Sequence, residues 1–529
     1  MSRKIHFPLL NGRPSIRILL FKDRKHIDIR IAADEFQLTD LEGNHLFEGI
    51  VNDKFWRIKI KDSQPAEYRY YLMLKESGIK ANIEDEIEEW HKRGHNVSCL
   101  TVGGEIHLNH RLVNRNEKHI LLAGPFNTEK EARHHSNEYG YLNHCRIHRK
   151  PVKAAKSVLE IYDPSCEQFL EVHDGIKLIP KKPDAYFELC NFEIKHKSER
   201  KPQKENLFYN GQLVVKADEN NSLIGINEIY LEDYLKGVLL SEIEGGISPA
   251  YAKSLAIAVR SQVIARFGQY HTAEEFDFCS EGHCLRYYGK KDGNEVINQA
   301  VKETTGLVLQ SDETVCNAYF SYSCGGFTEN ASDVWFKEND CFSTGKYDGE
   351  KPLQKDLDLT SEDNVEQWIL DRPDVYCRQE AADQTYLTRV GSDAFRWEVF
   401  YTRQELEQIL YEKTGEKPGI IYEIIPLKRG VSGRIKELEI LGSLKNVRIR
   451  GELNIRSALS ETLLNSSCFI VKAEKDEDGV PLNFLLVGAG KGHGVGLCKT
   501  GAAKMAKLNK TVEEILGHYF EQATIKEIY

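Results

Sequence analysis

Residues 229–270 read IYLEDYLKGVLLSEIEGGISPAYAKSLAIAVRSQVIARFGQY, two helical runs with an acid, Glu242, at the hinge between them. The first run ends at Ile243, one residue past the acid, and the second opens at Ser248 behind Gly245 and Gly246. Ser248 followed by Pro249 is a helix start: the hydroxyl caps free amides, and proline suits the first helical position. A carboxylate at a helix C-terminus meets the negative end of the dipole, and Val238, Leu239, Leu240 and Ile243 add apolar surroundings. Both features disfavour its charged form. A carboxylic acid that keeps its proton is what cleavage of a glycosidic bond requires. On these residues alone, the competing reading is a solvated glutamate at a helix end.

The 529 residues exceed one ordinary core, so two or three domains are expected. A hydrophobic content of 41% with 29% charged residues describes a globular chain. The balance of 71 basic to 81 acidic residues, net −10, argues against a nucleic-acid partner, because no basic field is available to neutralise phosphates. Twelve cysteines are too sparse for a disulfide scaffold. Most read as small buried residues. The N-terminus MSRKIHFPLLNGRPSIRIL has no apolar stretch long enough for a signal peptide, and no later segment reads as an integral membrane span.

Strand-like alternation marks residues 15–60 (SIRILLF, HIDIRI, WRIKI), and residues 64–95 are charged and helix-friendly. Within residues 98–150, HILLAGPFNTEKEARHHSNEYG predicts a strand, a Gly-Pro turn and a helix starting near Thr128. This segment is similar to a SPOR module, which recognises bare peptidoglycan glycan. His134, His135, His144 and His148 read as surface histidines, since no closed ligand set accompanies them. The basic runs Arg149–Lys156 and Lys195–Lys204 read as solvated linkers, the second marking a boundary.

From about residue 207 to 520 the chain resembles the SpoIID/LytB family, the stage II sporulation protein D and amidase-enhancer proteins. The matching pieces keep the family's order: INEIYLEDYLKGVLLSEI, SPAYAKSLAIAVRSQVIAR, FDFCSEGHCLRYYG, TTGLVL, YFSYSCGGFTENASDVWF, FRWEVFYT, RGVSGRIKELEILG, NIRSALS and GAGKGHGVGLCKTGAAKMA. The expected fold is α+β, mixed helices and antiparallel strands, with a SpoIID-like catalytic core and an inserted small α/β module. The expected division is an N-terminal β segment at 1–60, an inserted region at 61–200, SPOR-like at 98–150, and a SpoIID/LytB core at 205–525.

The resemblance implies a peptidoglycan lytic transglycosylase that cuts glycan strands, those denuded of stem peptides, to leave 1,6-anhydro-muramic ends. Glu242 aligns with the family's catalytic glutamate. It would protonate the leaving oxygen and then take the proton of the muramic 6-hydroxyl, so no second carboxylate is needed. Glu244 reads as a surface residue; a hydrolase would use it as the partner acid. Arg260 matches the family's arginine and would pair with Glu242 or with substrate, the bland alternative being a buried ion pair that buttresses the helix.

Three further constellations carry chemistry. Cys279, His283 and Cys284 offer two thiolates and an imidazole in a glycine-containing turn, a zinc set with one open position or else two free cysteines or a disulfide. Some resembling members bind zinc here, although Leu285 stands where glutamine is usual. In YSCGGFTE, Ser321, Ser323, Gly325, Gly326 and Thr328 are candidate substrate-binding residues, because small hydroxyls beside a Gly-Gly turn let a sugar approach the backbone. A tight turn between strands is the bland alternative. In GAGKGHGVGLCKTGAAKMA the glycines lack phosphate-loop context, and the reading is a bent loop that brings His493 to the cleft, with a helix from about Thr500. Lys491 replaces a usual tryptophan, which removes a sugar-stacking surface, and Lys499 replaces a usual glutamine.

Two functions of different class follow from these readings. One is the transglycosylase; the alternative is a non-catalytic glycan-binding enhancer of a cell-wall amidase. A third, weaker reading uses Cys324 as nucleophile with His493 as base. The partners implied are peptidoglycan glycan strands and a cell-wall amidase, and the location implied is the cell envelope, although no export signal is visible.

Overall fold

The computed structural model describes residues 2–32, 35–50, 55–136, 146–163, 167–182, 185–194, 203–243, 247–280, 283–289, 294–335, 343–350, 357–378 and 394–529. The architecture is mixed α+β with mostly antiparallel sheets. Strands of the N-terminal segment pair with strands from the far end of the stretch read as inserted. One sheet orders Leu9–Leu10, Arg13–Arg24, Leu223–Tyr230, Gln212–Ala217, Gly175–Pro180, Glu35–Asp40 and His45–Ile50. A second orders Gln168–His173, Lys156–Asp163, Trp56–Gln64, His26–Ala32, Tyr186–Ile194 and Gln203–Asn210. Alternating residues of both, such as Ile16, Ile18, Leu213 and Val215 against Ile29, Ile58, Leu159 and Phe187, enter one continuous core.

Between Trp56–Gln64 and Lys156–Asp163 the chain leaves to build a βαββαβ unit: Glu67–Ser77, Lys80–Lys92, Val97–Val102, Lys118–Phe126, Glu129–His135 and Arg146–Lys153. Its antiparallel sheet runs Arg146–Lys153, Glu67–Ser77, Lys118–Phe126, Val97–Val102, the split-βαβ order 4-1-3-2. The charged run read as helical is thus a strand followed by a helix. Its strand half alternates apolar residues (Leu72 and Leu74 inward), and tertiary pairing overrides the charge-rich composition. The helix near Thr128 forms as expected, its hydroxyl accepting from the Glu131 amide at 3.1 Å. His134 is exposed and His135 and His148 are half-buried, whereas His144 lies outside the described residues. Arg149, read as part of a solvated linker, instead pairs with Glu274 at 2.7 Å and with Glu219. The run Lys195–Lys204 lies almost wholly outside the described residues.

A hairpin of this unit, Glu105–Leu108 with Arg111–Arg115, docks on the helical region through polar contacts at a helix end. Asn114 donates to the Ile264 carbonyl at 3.2 Å, and Asn116 donates to those of Ala265 and Phe267 at 2.9 and 2.8 Å. These satisfy carbonyls that a helix C-terminus leaves without intrahelical partners.

The helix they cap, Pro249–Arg266, is the hub. Ser248 accepts from the Tyr251 amide and Pro249 opens the first turn. From Tyr251 to Arg266 every residue but Lys253 is buried, so this helix is enclosed on all sides rather than amphipathic. It packs against Leu231–Glu242, Glu295–Glu303, Leu307–Ser311, Lys499–Lys507 and Val512–Tyr519. The last two come from the far end of the chain, so the C-terminus folds back on the hub. Residues 394–489 build a satellite around Trp397, Leu406, Leu438, Phe469 and Phe484, from two three-stranded sheets and the helices Arg403–Thr414 and Glu452–Ala458.

Arg260 lies in the hub, fully buried. It bonds Glu232 at 2.9 and 2.6 Å, donates to the Leu307 carbonyl at 3.0 Å, and the Tyr529 hydroxyl also bonds Glu232. Removing one partner of such a pair strands the other charge. We expect Arg260→Ala to cost about 3–5 kcal/mol, read as a lower urea midpoint, with Glu232→Gln milder because it keeps the acceptor and the shape.

Candidate functional site

Glu242 is the last residue of the helix Leu231–Glu242, and Ile243 leaves the helix in extended geometry. Its side chain is 12% exposed and faces an ammonium rather than apolar groups. Lys499 Nζ donates to Glu242 Oε2 at 2.7 Å and to the Glu242 carbonyl oxygen at 2.8 Å. A single cation therefore holds the carboxylate and also satisfies a helix-terminal carbonyl. Lys499 starts the helix Lys499–Lys507, directly after the short strand Leu497–Cys498, which pairs in parallel with Phe320–Ser321. This pairing brings the YSCGGFTE turn and the glycine-dense loop to one place.

Tyr322 completes this wall. Its ring lies 5.5 Å from Lys499 Nζ and 5.0 Å from Lys491 Nζ, and Phe320 is 5.9 Å from Lys499 Nζ. A half-buried aromatic thus borders the acid even though Lys491 stands in place of tryptophan. Sequence reasoning passed over Tyr322, and treated Lys499 only as a departure from pattern. The one signal available was a lysine at the start of a helix, where the dipole disfavours a cation unless a counter-charge meets it. Glu244 and the two following glycines lie outside the described residues.

The other sequence-predicted residues divide by environment. Arg260 pairs with Glu232, not Glu242, and is 0% exposed, so it does not reach a surface where substrate could lie. Ser321 and Ser323 are buried, and their hydroxyls have no hydrogen-bond partner among the described residues. Thr328 is committed, its hydroxyl donating to the Lys346 carbonyl and accepting from the Lys346 amide. Gly325 and Gly326 are required by the backbone: their φ values are +80° and +105°, and a Cβ would meet Gly490 N at 2.9 Å or Trp368 at 2.7 Å. Their smallness serves packing against neighbours.

His493 sits half-buried between Trp335 (centroids 5.1 Å apart) and Tyr319 (6.3 Å). Its Nδ1 accepts from the Val495 amide at 3.0 Å, and the ring also hydrogen-bonds the Phe320 backbone. Desolvation, then the charges of Arg434 and Arg456, push its pKa down to about 3. Cys324, the proposed nucleophile of the weaker reading, is 3% exposed and faces Asp348 and Cys377. Burial pushes its thiol well above the usual range, which is the opposite of an activated nucleophile. The cysteine-hydrolase reading fails on both residues.

The Cys279, His283 and Cys284 segment gains a fourth member, His271. One donor atom of each of the four lies within 4.8 Å of the others. His271 Nε2 is 3.4 Å from Cys284 Sγ, and His283 Nδ1 is 3.4 Å from Cys284 Sγ and 3.9 Å from Cys279 Sγ. Cys284 is lowered to about 7, chiefly by the hydrogen bond with Cys279 and, against burial, by Arg266. Two thiols and two imidazoles converging on one point match the donor chemistry and number of a closed tetrahedral zinc set. His271 adopts φ 52°, a left-handed turn that aims it back at the cysteines. It lies eight residues before Cys279, outside any short motif, and the sequence reading missed it.

Residues 219–310 match the profile of the stage II sporulation protein family, SpoIID, and residues 329–496 match a domain of unknown function, DUF8618. An uncharacterized protein of Brachyspira hyodysenteriae (strain ATCC 49526 / WA1) is 26% identical over 306 residues, covering 58% of this chain and 69% of its own length. The stage II sporulation protein D of Bacillus subtilis (strain 168) is 24% identical over 319 residues, 57% of this chain and 76% of its own. The amidase enhancer of the same organism is 22% identical over 319 residues, 55% of this chain but only 40% of its own. Over residues 219–310, and more loosely over a little more than half of its length, the chain is similar to the SpoIID/LytB proteins.

The shift at His493 has a measurable consequence. Its folded pKa lies below the ordinary 6.5, so the unfolded chain takes up a proton that the folded chain refuses. Stability therefore falls as pH drops from about 6.5 towards about 3. We expect His493→Gln to flatten that part of the stability-versus-pH curve measured by chemical denaturation.

Proposed function

We propose that this protein is a lytic transglycosylase of peptidoglycan, with Glu242 as its one acid and base. The observation that carries the reading is the address of Glu242: a partly exposed carboxylate at a helix end, held at 2.7 Å by Lys499 and bordered by Tyr322. Glu242 protonates the leaving glycosidic oxygen as the bond breaks through an oxocarbenium-like state. Lys499 is placed to hold the carboxylate in one orientation. The carboxylate then takes the proton of the muramic 6-hydroxyl, which attacks the anomeric carbon and closes the 1,6-anhydro ring. Tyr322 offers an apolar ring face to a sugar, and Ser321 and Ser323, whose hydroxyls have no partner among the described residues, keep hydrogen-bonding capacity beside it.

The family relation supports the substrate class, as does the βαββαβ unit that carries the SPOR-like segment; we assign that unit to glycan binding. The substrate lies outside the cytoplasmic membrane, so the protein works in the cell envelope. No described helix is long and apolar enough to cross a membrane. His271, Cys279, His283 and Cys284 would hold zinc as a closed structural set, its chemistry there being to clamp a turn whose Phe278–Cys279 strand pairs with Ile18 and Leu19.

A second reading has one observation in its favour. Lys499 stands where the family pattern has glutamine, and its ammonium occupies the acid. This suits a glycan-binding enhancer of an amidase, in line with the name of one relative.

Digestion of denuded glycan strands, read by mass spectrometry, separates the two. The transglycosylase reading expects anhydro ends from the wild type, lost by about 10²–10⁴-fold in Glu242→Gln, which is close in shape to the native residue. Absence of anhydro product from the folded wild type, with stimulation of a cell-wall amidase on intact sacculi, selects the enhancer. Reducing ends in place of anhydro ends would point to water as the nucleophile and overturn the transglycosylase assignment.

A further inference from the structure

Three cysteines and an aspartate from separate segments of the chain meet in a fully buried cluster that shares no residue with the Glu242–Lys499 pair. Cys324 and Cys498 each lie by the parallel pair Phe320–Ser321 and Leu497–Cys498, while Asp348 and Cys377 come from residues 343–350 and 357–378. Their exposures are 3%, 0%, 0% and 1% for Cys324, Cys498, Asp348 and Cys377. Cys324 Sγ is 3.6 Å from Cys377 Sγ and 3.0 Å from Asp348 Oδ2. One donor atom of each of the four lies within 4.8 Å of the others.

The spacing fits one ion. Two thiolates on a tetrahedral zinc at about 2.3 Å stand about 3.8 Å apart, close to the sulfur–sulfur distance found. The outer partners fit as well. Asp348 Oδ1 accepts from the Tyr519 hydroxyl at 2.9 Å and meets His518 Nε2 at 3.1 Å, leaving Oδ2 towards the sulfurs. Such carboxylate anchoring is how proteins orient metal ligands. Backbone amides point at the sulfurs too: Cys324 N at 3.2 Å and Gly501 N at 3.4 Å from Cys498 Sγ, and Gly326 N at 3.3 Å from Cys324 Sγ. Among the described residues no lysine or arginine pairs with Asp348. Among the described residues a buried carboxylate beside three thiols therefore has His518 as its one basic partner, and a divalent cation would supply positive charge there.

We propose that Cys324, Asp348, Cys377 and Cys498 bind one zinc ion as a closed structural site, separate from the set at His271. Thiolate-rich donors select zinc over magnesium or calcium. Four protein ligands leave no open position, so the ion is a staple rather than a catalyst. It ties residues 174 positions apart, Cys324 and Cys498, and so closes a long loop of chain. Cys498 immediately precedes Lys499. The staple therefore fixes the step in the backbone from which Lys499 reaches Glu242.

Metal content and cobalt spectroscopy of the full-length chain test this. Protein prepared under reducing conditions with zinc is expected to hold two equivalents per chain, falling by one in Cys377→Ser/Cys498→Ser and also by one in Cys279→Ser/Cys284→Ser. If the wild type holds one equivalent, its loss in Cys377→Ser/Cys498→Ser alone supports this site while sinking the one at His271, and its loss in Cys279→Ser/Cys284→Ser alone overturns the proposal. Since the first variant could fail to fold, the wild type carries an independent readout. Cobalt substitution is expected to give two successive saturating steps of thiolate-to-cobalt charge-transfer absorption, the larger from the three-cysteine site. A single step with Cys324 and Cys377 recovered as a disulfide or as free alkylated thiols under native conditions would overturn the proposal.

Discussion

The enclosure of the helix Pro249–Arg266 is the constraint on which the remaining structure depends. A helix buried from Tyr251 to Arg266 has no polar face to give to water, so every side must be covered by another element. The covering pieces come from both sides of the hub in sequence: the Leu231–Glu242 helix just before it, and Lys499–Lys507 and Val512–Tyr519 from near the C-terminus. Covering the hub is what carries Lys499 to Glu242 across 257 positions of sequence. Burial of apolar area drives the assembly, and the ion pair is a product of it.

Several buried polar groups inside this assembly are matched by partners from distant segments. Arg260 is answered by Glu232, Leu307 and Tyr529, and Asn114 and Asn116 close the hub's C-terminal carbonyls. Arg434, nearly fully buried, bonds the carbonyls of Cys324 and Gly492 and so pins the serine–glycine turn to the glycine-dense loop. Gly494 is glycine for this reason: a Cβ there would lie 2.4 Å from the Arg434 guanidinium carbon. Gly490 likewise has the Arg434 guanidinium 2.9 Å from where a Cβ would stand, so two glycines of this loop make room for one buried arginine.

Much of the fold was legible because local rules acted without competition. Ser248 and Pro249 announce a helix start and the helix begins there; Thr128 caps the helix expected from it. Residues 67–77 were misread because charge density was taken for helix, whereas pairing on both edges of that strand decided its state. Among the site residues, Glu242 could be singled out from its place between two helices. Arg260, Thr328 and His493 carried the right chemistry, but their partners were set by packing that no spacing discloses.

By itself the sequence determined the two helices about Glu242, the cap that starts the second, the α+β class and the order of motifs that carries the family resemblance. These depend on neighbours within a few positions, where propensity and capping act directly. Only the tertiary structure decided which charge meets which: Lys499 on Glu242, Glu232 on Arg260, His271 beside Cys284, and Asp348 among three cysteines. Such contacts join residues tens to hundreds of positions apart. They form because apolar burial closes the chain on itself and then leaves each buried polar group to whichever partner has been brought within reach.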